Sequence, residues 1–312
     1  MKCDRCGAEA VTFLRYSGAH LCAQHFAEFV RRRVSKEVRK EVVLHTGDTL
    51  AVAVSGGKDS MVLLSLLNGL FGDRNGIRLV AVTIDEGLVG YRPPSIDIVR
   101  RYCADHGIEH RIRAFTELGL TMDEVAPLCT DGTTPCSYCG VFRRKLMNDE
   151  ARQLGAKYLA TGHNLDDIAQ SVMMDFTRGD IDRLARLGPH THVRPGLIPR
   201  CFPLRMVPEK ETLLYALVEH IPFWDGECPY WQAALRNEYR DLVDNLERRT
   251  PGARHSIVSS YDQLRPILAK TYPPVVPHFC ACGEPCNGKR CKACEFEEIL
   301  KKKLTEHKPP EN

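Results

Sequence analysis

The middle of the chain alternates short apolar runs with longer segments whose apolar residues recur at helical spacing. The apolar runs at residues 50–54 and 77–85 predict strands that are buried on both faces. Residues 110–115 and 157–161 are weaker strand candidates. Helices are predicted between these strands, at residues 61–70, 95–106, 141–154 and 166–177. This alternation predicts an α/β fold, a doubly wound parallel sheet whose ligands bind at the carboxyl ends of the strands.

Changes in composition divide the chain into smaller modules around this α/β domain. Residues 26–44 carry apolar side chains close to helical spacing, so they are expected to link a Cys/His module to the domain. A proline-rich stretch at 273–277 forms a stiff break before a second cysteine cluster. The predicted organisation is an N-terminal zinc module at 1–27, a linker helix at 28–47, the α/β domain at 48–235, a helical extension at 236–277, a C-terminal zinc module at 278–297 and a charged, disordered tail at 298–312.

A glycine-containing turn joins the first predicted strand directly to a helix. Glycines at such a turn let backbone N–H groups approach an anion, and the helix N-terminus adds partial positive charge. A Walker A loop is excluded, because Val52 stands where that motif needs glycine. The turn therefore predicts a cradle for nucleotide phosphates. Its residues are Ser55, Gly56, Gly57, Lys58, Asp59 and Ser60.

Composition narrows the partners and the location of this 312-residue chain. The formal net charge is only +3, but basic residues cluster at 31–40, 143–145 and 301–303, which favours a polyanionic partner. The chain has no apolar run of roughly 18 residues and no apolar signal region, so we expect a soluble, cytoplasmic protein that does not enter a membrane. Fourteen cysteines, mostly in tight clusters, are typical of metal-bound thiolates in a reducing cytosol.

The N-terminal module contains two pairs of metal-ligating residues, Cys3-x-x-Cys6 and Cys22-x-x-His25. Each pair can form a tight knuckle, and four such ligands complete a tetrahedral zinc site. A module of this size has too little hydrophobic core to fold alone, so the metal is expected to supply the missing stability.

In the C-terminal cluster, five cysteines compete for the four places of a second zinc site. Cys291 and Cys294 form a normal pair, and Cys282, which precedes a glycine, resembles the second member of another pair. Cys280 is the preferred fourth ligand, and Cys286 is the alternative.

Three further cysteines leave several interpretations open. Cys136-x-x-Cys139 has no second pair nearby, and Cys228 stands alone beside a proline. They are compatible with a redox-active pair, half of a metal site or buried thiols. If the three meet in space, they can hold a 4Fe-4S cluster by three irons and leave the fourth iron open. The remaining isolated cysteines, expected to be packing residues, are Cys103, Cys129 and Cys201.

Residues 161–167 predict a helix start, with Asn164 as the N-cap and Asp166 and Asp167 in the first turn beside the helix dipole. The same geometry places a carboxylate at a strand end that faces the nucleotide crevice. There it could bind Mg²⁺ or orient a substrate.

Taken together, these motifs resemble the tRNA 2-thiouridine synthetases of the TtuA type, which belong to the PP-loop ATP pyrophosphatase superfamily. That group includes the archaeal and eukaryotic enzymes that thiolate the wobble uridine. The resemblance covers nearly the whole chain, with six motifs in the family's order. They are the N-terminal Cys/His set, residues 55–60, Pro135-Cys136-x-x-Cys139-Gly140, residues 162–167, residues 227–230 and the C-terminal cysteines.

The resemblance implies two cofactor sites in one crevice. It implies an oxygen-sensitive 4Fe-4S cluster with one open iron, bound by Cys136, Cys139 and Cys228. It also implies that ATP lies on the loop at residues 55–60. Further ATP contacts are implied at Ala53 and Ile84, near the adenine, and at Gly162.

The resemblance also implies catalytic positions. Asp167 matches a catalytic acidic residue of the family, and Lys58 with Mg²⁺ would offset phosphate charge. The family's catalytic lysine falls on Arg143, which departs from the pattern. Arginine keeps the positive charge but cannot act as a base, so Arg143 is expected only to stabilise negative charge.

The implied reaction is ATP-dependent 2-thiolation of a tRNA uridine. Adenylation of the C2 oxygen turns a poor leaving group into AMP, which sulfur then displaces, either as a hydrosulfide on the open iron or as a cysteine persulfide. A thiocarboxylated ubiquitin-like carrier would deliver the sulfur, and the protein would act as a homodimer. Two alternatives remain: an amidating or lysidine-type PP-loop ligase, and a non-enzymatic, zinc-dependent tRNA-binding protein.

Overall fold

The structure is a computed structural model that describes residues 1–72, 76–129, 132–188, 195–233, 235–273 and 278–306. Its N-terminal module consists of an antiparallel hairpin and the long helix that follows it. Along this helix Phe26, Val30 and Val34 are fully buried and pack into the core of the following domain. These elements are β1 (Thr12–Leu14), β2 (Ala19–Leu21) and α1 (Ala23–Glu41).

Helix α1 corrects the predicted linker helix at residues 28–47. The helix begins at Ala23, directly after Cys22, and ends at Glu41. Val42 already has extended backbone angles, as β-branched residues favour, and Gly47 then takes a positive φ. Residues 42–47 are therefore not helical.

The central domain is built on a parallel sheet, so the predicted doubly wound α/β fold is confirmed. Within the described residues the sheet has five strands in the order β5-β4-β3-β6-β7. Its elements are β3 (Thr49–Ala53), α2 (Lys58–Phe71), β4 (Arg78–Asp85), α3 (Arg92–Asp105), β5 (Glu109–Ala114), α4 (Met122–Val125), α5 (Pro135–Gln153), β6 (Ala156–Ala160), α6 (Leu165–Thr177), α7 (Ile181–Arg186) and β7 (Arg200–Cys201).

Helices cover both faces of this sheet. On β3, Leu50 and Val52 pack on the side of α1, α2 and α3, whereas Ala51 packs on the side of α5. Burial on both faces explains why β3 and β4 read as apolar runs. The sheet thus separates two cores and leaves the carboxyl ends of its strands free to form a site.

Helix α5 begins six residues earlier than the predicted segment at 141–154. Pro135 occupies the first helical position, where the missing N–H costs nothing and the fixed φ is already helical. As a result, Cys136 and Cys139 lie in the first turns of the helix rather than in a preceding loop.

The C-terminal region wraps back onto the domain. Within the described residues, three helices follow β7, and a short hairpin then leads into a fourth. These elements are α8 (Glu209–Val218), α9 (Arg236–Arg249), α10 (Ala253–Thr271), β8 (His278–Phe279), β9 (Pro285–Cys286) and α11 (Lys292–Glu306). In the part of the chain that the structure describes, no helix is long and apolar enough to cross a membrane.

The predicted disordered tail at 298–312 is wrong for residues 298–306, which continue helix α11. Phe296, Leu300 and Leu304 recur at helical spacing and pack against the core that α5 also lines. Lys303 donates to the backbone oxygen of Leu128 at 3.0 Å. The charged residues form the solvent face of an amphipathic helix. Residues 307–312 lie outside the described residues.

We predict that Leu300→Ala lowers the free energy of unfolding by about 2–5 kcal/mol, because it empties a fully buried site. Ile299→Ala, one residue away and 40% exposed, is the matched control and should cost much less. Urea unfolding monitored by circular dichroism measures both. Equal effects would contradict the packing of this helix.

Candidate active site

The loop at residues 55–60 follows β3 and starts α2, as the sequence predicts. Gly56 has a φ of +87°, and a Cβ there would lie 2.5 Å from the carbonyl oxygen of Ser95. Only glycine fits this close approach. Ser60 Oγ accepts from the N–H of Ser55 at 3.1 Å and donates to the oxygen of Gly57 at 2.9 Å. These bonds brace the loop at the helix N-terminus, where backbone N–H groups favour an anion.

A cavity of about 390 Å³ opens beside this loop at the carboxyl ends of β3, β4 and β6. Gly162 reaches it from β6, and a Cβ on Gly162 would lie 3.1 Å from the backbone N of Ser60. The segment at Gly162 and the loop at residues 55–60 are therefore in close contact at the wall of the cavity. Its lining residues are Ala53, Val54, Ser55, Gly57, Asp59, Ser60, Val82, Ile84, Glu86, Arg92, Arg143, Met147, Thr161, Gly162, His163, Asp167 and Arg236.

A larger cavity of about 730 Å³ lies between the N-terminal hairpin and helices α8 and α9. It is lined by both acidic and basic side chains and contains none of the cysteines or loop residues predicted to act on a nucleotide. The smaller cavity, which is lined by most of the loop residues and by Arg143 and Asp167, is therefore the candidate active site.

Lys58 belongs to the loop but is not among the residues that line the cavity. Its Nζ lies 2.7 Å from Glu209 and 3.0 Å from Asp59. Burial alone would lower the pKa of Lys58, but attraction to these two carboxylates outweighs it and raises the pKa. Asp59 is also bound by Asn164 and Thr212. The loop is thus tied to α6 and α8 through charged contacts.

Asp167 caps the start of α6 and also lines the cavity. Its backbone N donates to Asn164 Oδ1 at 3.0 Å, and its carboxylate accepts from the Asn164 N–H at 3.2 Å. This is a reciprocal cap of α6. The other carboxylate oxygen of Asp167 pairs with Arg236 at 2.8 Å. Arg236 was missed by the sequence analysis, since it comes from α9 and belongs to no motif.

Asp166, the neighbouring acid, has a different role. It is buried, pairs with Arg254 at 2.8 Å and accepts from the N–H of Glu209 at 2.8 Å. Burial is the main cause that raises its pKa to about 6. Asp166 therefore holds α6, α8 and α10 together and does not line the cavity.

Cys136 and Cys139 lie at the start of α5, and the charge of Cys228 acts on both of them. Cys228 precedes a short 3₁₀ turn at residues 231–233. Cys136 Sγ lies 3.7 Å from the backbone oxygen of Tyr230, so this turn folds against the start of α5. Burial first, and then the charge of the neighbouring thiols, raises the pKa of Cys136. All three cysteines are half-buried, and Cys139 and Cys228 pack against the core on the α5 side of the sheet. The charges of Cys139 and Cys228 both act on Cys136.

Arg143 connects this cysteine group to the nucleotide side of the cavity. It donates to Cys139 Sγ at 3.0 Å and pairs with Glu86 at 3.1 Å. Loss of hydration alone would lower the pKa of Arg143, but attraction to Glu86 and Cys139 outweighs it and raises the pKa. Glu86 is buried and also pairs with Arg92 at 2.6 Å.

The four predicted N-terminal ligands converge, with their ligand atoms all within 4.8 Å of one another. Cys6 and Cys22 have their sulfurs 3.7 Å apart, and His25 Nδ1 lies 3.3 Å from Cys22 Sγ and 3.5 Å from Cys3 Sγ. Zinc–sulfur bonds at a tetrahedral angle separate two sulfurs by about 3.8 Å. The spacing thus suits a tetrahedral metal ion.

The C-terminal cysteines form a second such group, which contains Cys280, Cys282, Cys291 and Cys294 within 4.8 Å. Cys282 and Cys291 have their sulfurs 3.6 Å apart. Cys286 lies outside the group and donates to the backbone oxygen of Gly288 at 3.0 Å. The geometry therefore favours Cys280 over Cys286 as the fourth ligand.

Two of the isolated cysteines, Cys103 and Cys201, are buried in the apolar core on the α2 side of the sheet. Burial raises the pKa of Cys103 to about 11. Cys129 is partly buried against the core on the α5 side, near the cysteine group.

Comparison with known proteins defines the class first. A model of the PP-loop domain matches residues 28–246, and a model of the N-terminal LIM domain of the 2-thiouridine synthetase TtuA matches residues 2–27. The chain is 40% identical to the tRNA 2-thiolation protein NcsA of Haloferax volcanii, over 96% of this chain and 99% of that protein. It is 38% identical to the cytoplasmic tRNA 2-thiolation protein 1 of Mus musculus, over 92% of this chain and 70% of that protein.

The fold agrees with this likeness. The U34-tRNA thiolase NcsA from Methanococcus maripaludis, solved with its [4Fe-4S] cluster, superposes with a TM-score of 0.78 at 37% identity. The match covers 85% of this chain and 88% of that one. The chain belongs to the PP-loop family of tRNA 2-thiolation proteins. The family resemblance predicted from the six motifs is confirmed.

We predict that Cys282→Ser removes about one equivalent of bound zinc, because it deletes one of four converging ligands. Cys286→Ser is the matched control in the same cluster and should keep the wild-type zinc content. Elemental analysis of the two purified variants measures the difference. Loss of metal from Cys286→Ser alone would reverse the ligand assignment.

Proposed function

We propose that this chain is an ATP-dependent tRNA uridine 2-sulfurtransferase that acts on U34. The observation that carries the proposal is the single cavity that joins the loop at 55–60, the Asp167–Arg236 pair and the cysteine side through Arg143. The reaction first activates an oxygen with ATP and then replaces that oxygen by sulfur. It therefore needs a phosphate-binding loop and sulfur-binding residues next to each other. The name of the relative from Haloferax volcanii supports tRNA 2-thiolation, and the name of the relative from Methanococcus maripaludis supports U34 as the target.

The activating step follows from the weak electrophilicity of the uracil C2 carbonyl. We propose that the C2 oxygen attacks the α-phosphorus of ATP and that pyrophosphate leaves. The backbone N–H groups of residues 55–60 would hold the phosphates, with Mg²⁺ neutralising part of their charge. Adenine would lie against Ala53 and Ile84, which line the inner wall of the cavity, with a further contact at Gly162. Lys58 would bind a phosphate of ATP after it releases its ion pair with Glu209.

The second step replaces the activated oxygen. A sulfur nucleophile attacks C2, and AMP leaves with the former carbonyl oxygen. The three thiols at Cys136, Cys139 and Cys228 suit a 4Fe-4S cluster bound through three irons, and Arg143, which contacts Cys139, lines the cavity. When bound, this cluster would supply an open iron site for hydrosulfide.

The residues around the thiols have roles of their own in this proposal. Arg143 would stabilise negative charge on Cys139 and on the departing AMP, and it cannot act as a base. Arg236 would hold the Asp167 carboxylate toward the cavity, where it can orient the substrate or Mg²⁺.

We also propose the remaining partners on chemical grounds. Two zinc ions would stabilise the terminal modules, which have little core of their own. The exposed basic side chains of α1 would contact the tRNA backbone. A thiocarboxylated ubiquitin-like carrier would supply sulfur to a homodimer. A cytoplasmic location agrees with the names of the eukaryotic relatives.

We predict that Cys136→Ala and Cys228→Ala each lower 2-thiouridine formation by about 100-fold or more, because a ligand for the sulfur chemistry is lost. ATP affinity should stay unchanged, since neither residue belongs to the loop. The assay uses anaerobically purified enzyme, unmodified tRNA, ATP and sulfide, with mass spectrometry of the nucleosides.

Cys103→Ala, at a buried packing site on the other face of the sheet, is the control and should keep activity. Full 2-thiouridine formation by the Cys136 and Cys228 variants would contradict the role of these thiols. AMP release without 2-thiouridine from the wild type, kept by both variants, would instead favour an amine-using PP-loop ligase. Binding of tRNA by the wild type without AMP release would favour a binding protein.

A further inference from the structure

Two arginine side chains beside the candidate active site, Arg144 on α5 and Arg200 on β7, form no hydrogen bond or ion pair within the described residues. The acidic residue whose charge acts on Arg200 is Glu284, which is already bound by Asn148 and Arg152. Arg143 and Arg152, on the same helix as Arg144, are both paired with carboxylates. The sequence between Gly188 and Pro195, which the structure does not describe, contains no Asp or Glu. Positively charged side chains that lie close together without an ion-pair partner are common at anion-binding sites.

The backbone brings these two arginines toward each other. Asn148 on α5 donates to the oxygen of Gly196 at 2.9 Å and accepts from the N–H of Ile198 at 3.0 Å. Arg144 lies one helical turn from Asn148 on the same face of α5. Arg200 lies two residues beyond Ile198, on the same side of the extended chain. Helix α5 and residues 196–200 therefore run side by side from Asn148 onward, which places Arg144 and Arg200 near each other.

The sheet register supports this placement. Arg200 pairs with Leu159 of β6, and Leu159 packs into the core on the α5 side. Paired residues of parallel strands point to the same face of a sheet, so Arg200 also emerges toward α5. The next residues of β6 lead directly to Thr161 and Gly162, which line the cavity.

Gly140 makes room for Arg144. A Cβ at Gly140 would lie 3.2 Å from Arg144 Nη1, so the guanidinium folds back over the helix directly beside Cys139. A guanidinium keeps its charge at neutral pH, and the positive charges that act on Arg144 are those of Arg200, Arg183 and Arg143.

We propose that Arg144 and Arg200 together bind a backbone phosphate of the RNA substrate next to the nucleotide that enters the cavity. The inference rests on the proposed function and adds a specific contact to it. A guanidinium fork matches the oxygens of a phosphodiester, which makes paired arginines suited to this group. The contact would position the RNA without reading its sequence.

The phosphates of ATP are the other source of the same ligand chemistry, and the topology favours RNA. The phosphate loop follows β3, whereas Arg200 lies on β7, two strands away in the sheet order. Two strand spacings amount to roughly 10 Å. Arg144 is also exposed, so a large polymer can reach it from outside the cavity.

The test is a salt titration of tRNA binding by the double variant Arg144→Gln/Arg200→Gln. We expect the Kd for unmodified tRNA to rise about tenfold per arginine near 0.15 M salt. The slope of log K against log salt should become less steep by about one per arginine. ATP affinity and the unfolding temperature should match the wild type. Arg144→Lys, which keeps the charge, should keep the wild-type slope.

Arg101→Gln is the matched control, because Arg101 is an exposed arginine on α3, which packs on the opposite face of the sheet. It should leave tRNA binding unchanged. An unchanged salt slope in the double variant would overturn the proposal, and so would weaker ATP binding with intact RNA binding. If the double variant does not fold, the single variant Arg144→Gln carries the same test.

The outcome also separates this inference from the proposed function. Wild-type protein that binds tRNA with the expected arginine dependence but forms no 2-thiouridine would contradict the function and leave the phosphate contact standing. Normal thiolation by the wild type, with no change in the salt slope of the double variant, would support the function and contradict the phosphate contact.

Discussion

A buried carboxylate, Glu86, holds the two halves of the candidate site together. Arg92 pairs with it at 2.6 Å and binds the backbone oxygens of Ser55 and Ile84, on the nucleotide side. Arg143 pairs with the other oxygen of Glu86 at 3.1 Å and binds Cys139, on the cysteine side. Removing one partner of a buried ion pair typically costs about 3–5 kcal/mol, because the remaining charge loses its compensation. The nucleotide side and the cysteine side of the site are therefore both held in place by the carboxylate of Glu86.

This arrangement suits an arginine at the position where the resemblance to the TtuA-type enzymes implies a lysine. A lysine point charge could donate to a carboxylate and a thiol, but it lacks the rigid fork of arginine. Arg143 uses different nitrogens for Glu86 and Cys139 and so spans the gap between them. The substitution keeps positive charge between the phosphate loop and the cysteines and removes the possibility of proton transfer at this position.

The sequence allowed prediction of those parts of the molecule that depend on local residues. The loop at 55–60, the parallel sheet and the four-residue metal groups at each end all have their chemistry in short segments. Arg236, Arg200 and Glu209 could not be foreseen, because each reaches the site from a separate element through tertiary packing. At 298–306 the charged composition predicts a disordered tail, but Leu300 and Leu304 have helical spacing and pack on the core, so the segment is helical. The apolar spacing predicts too late a start for α5, because the helix begins at Pro135, a residue favoured at the first helical position.

The central claim is that one cavity couples the use of ATP to the placement of sulfur on U34. The most direct test is the stoichiometry of a single turnover, with AMP release and 2-thiouridine measured on the same anaerobic sample and the modified position mapped by mass spectrometry. The account predicts one AMP for each sulfur incorporated, with the sulfur at U34. AMP release without sulfur incorporation, or sulfur at another nucleotide, would contradict it.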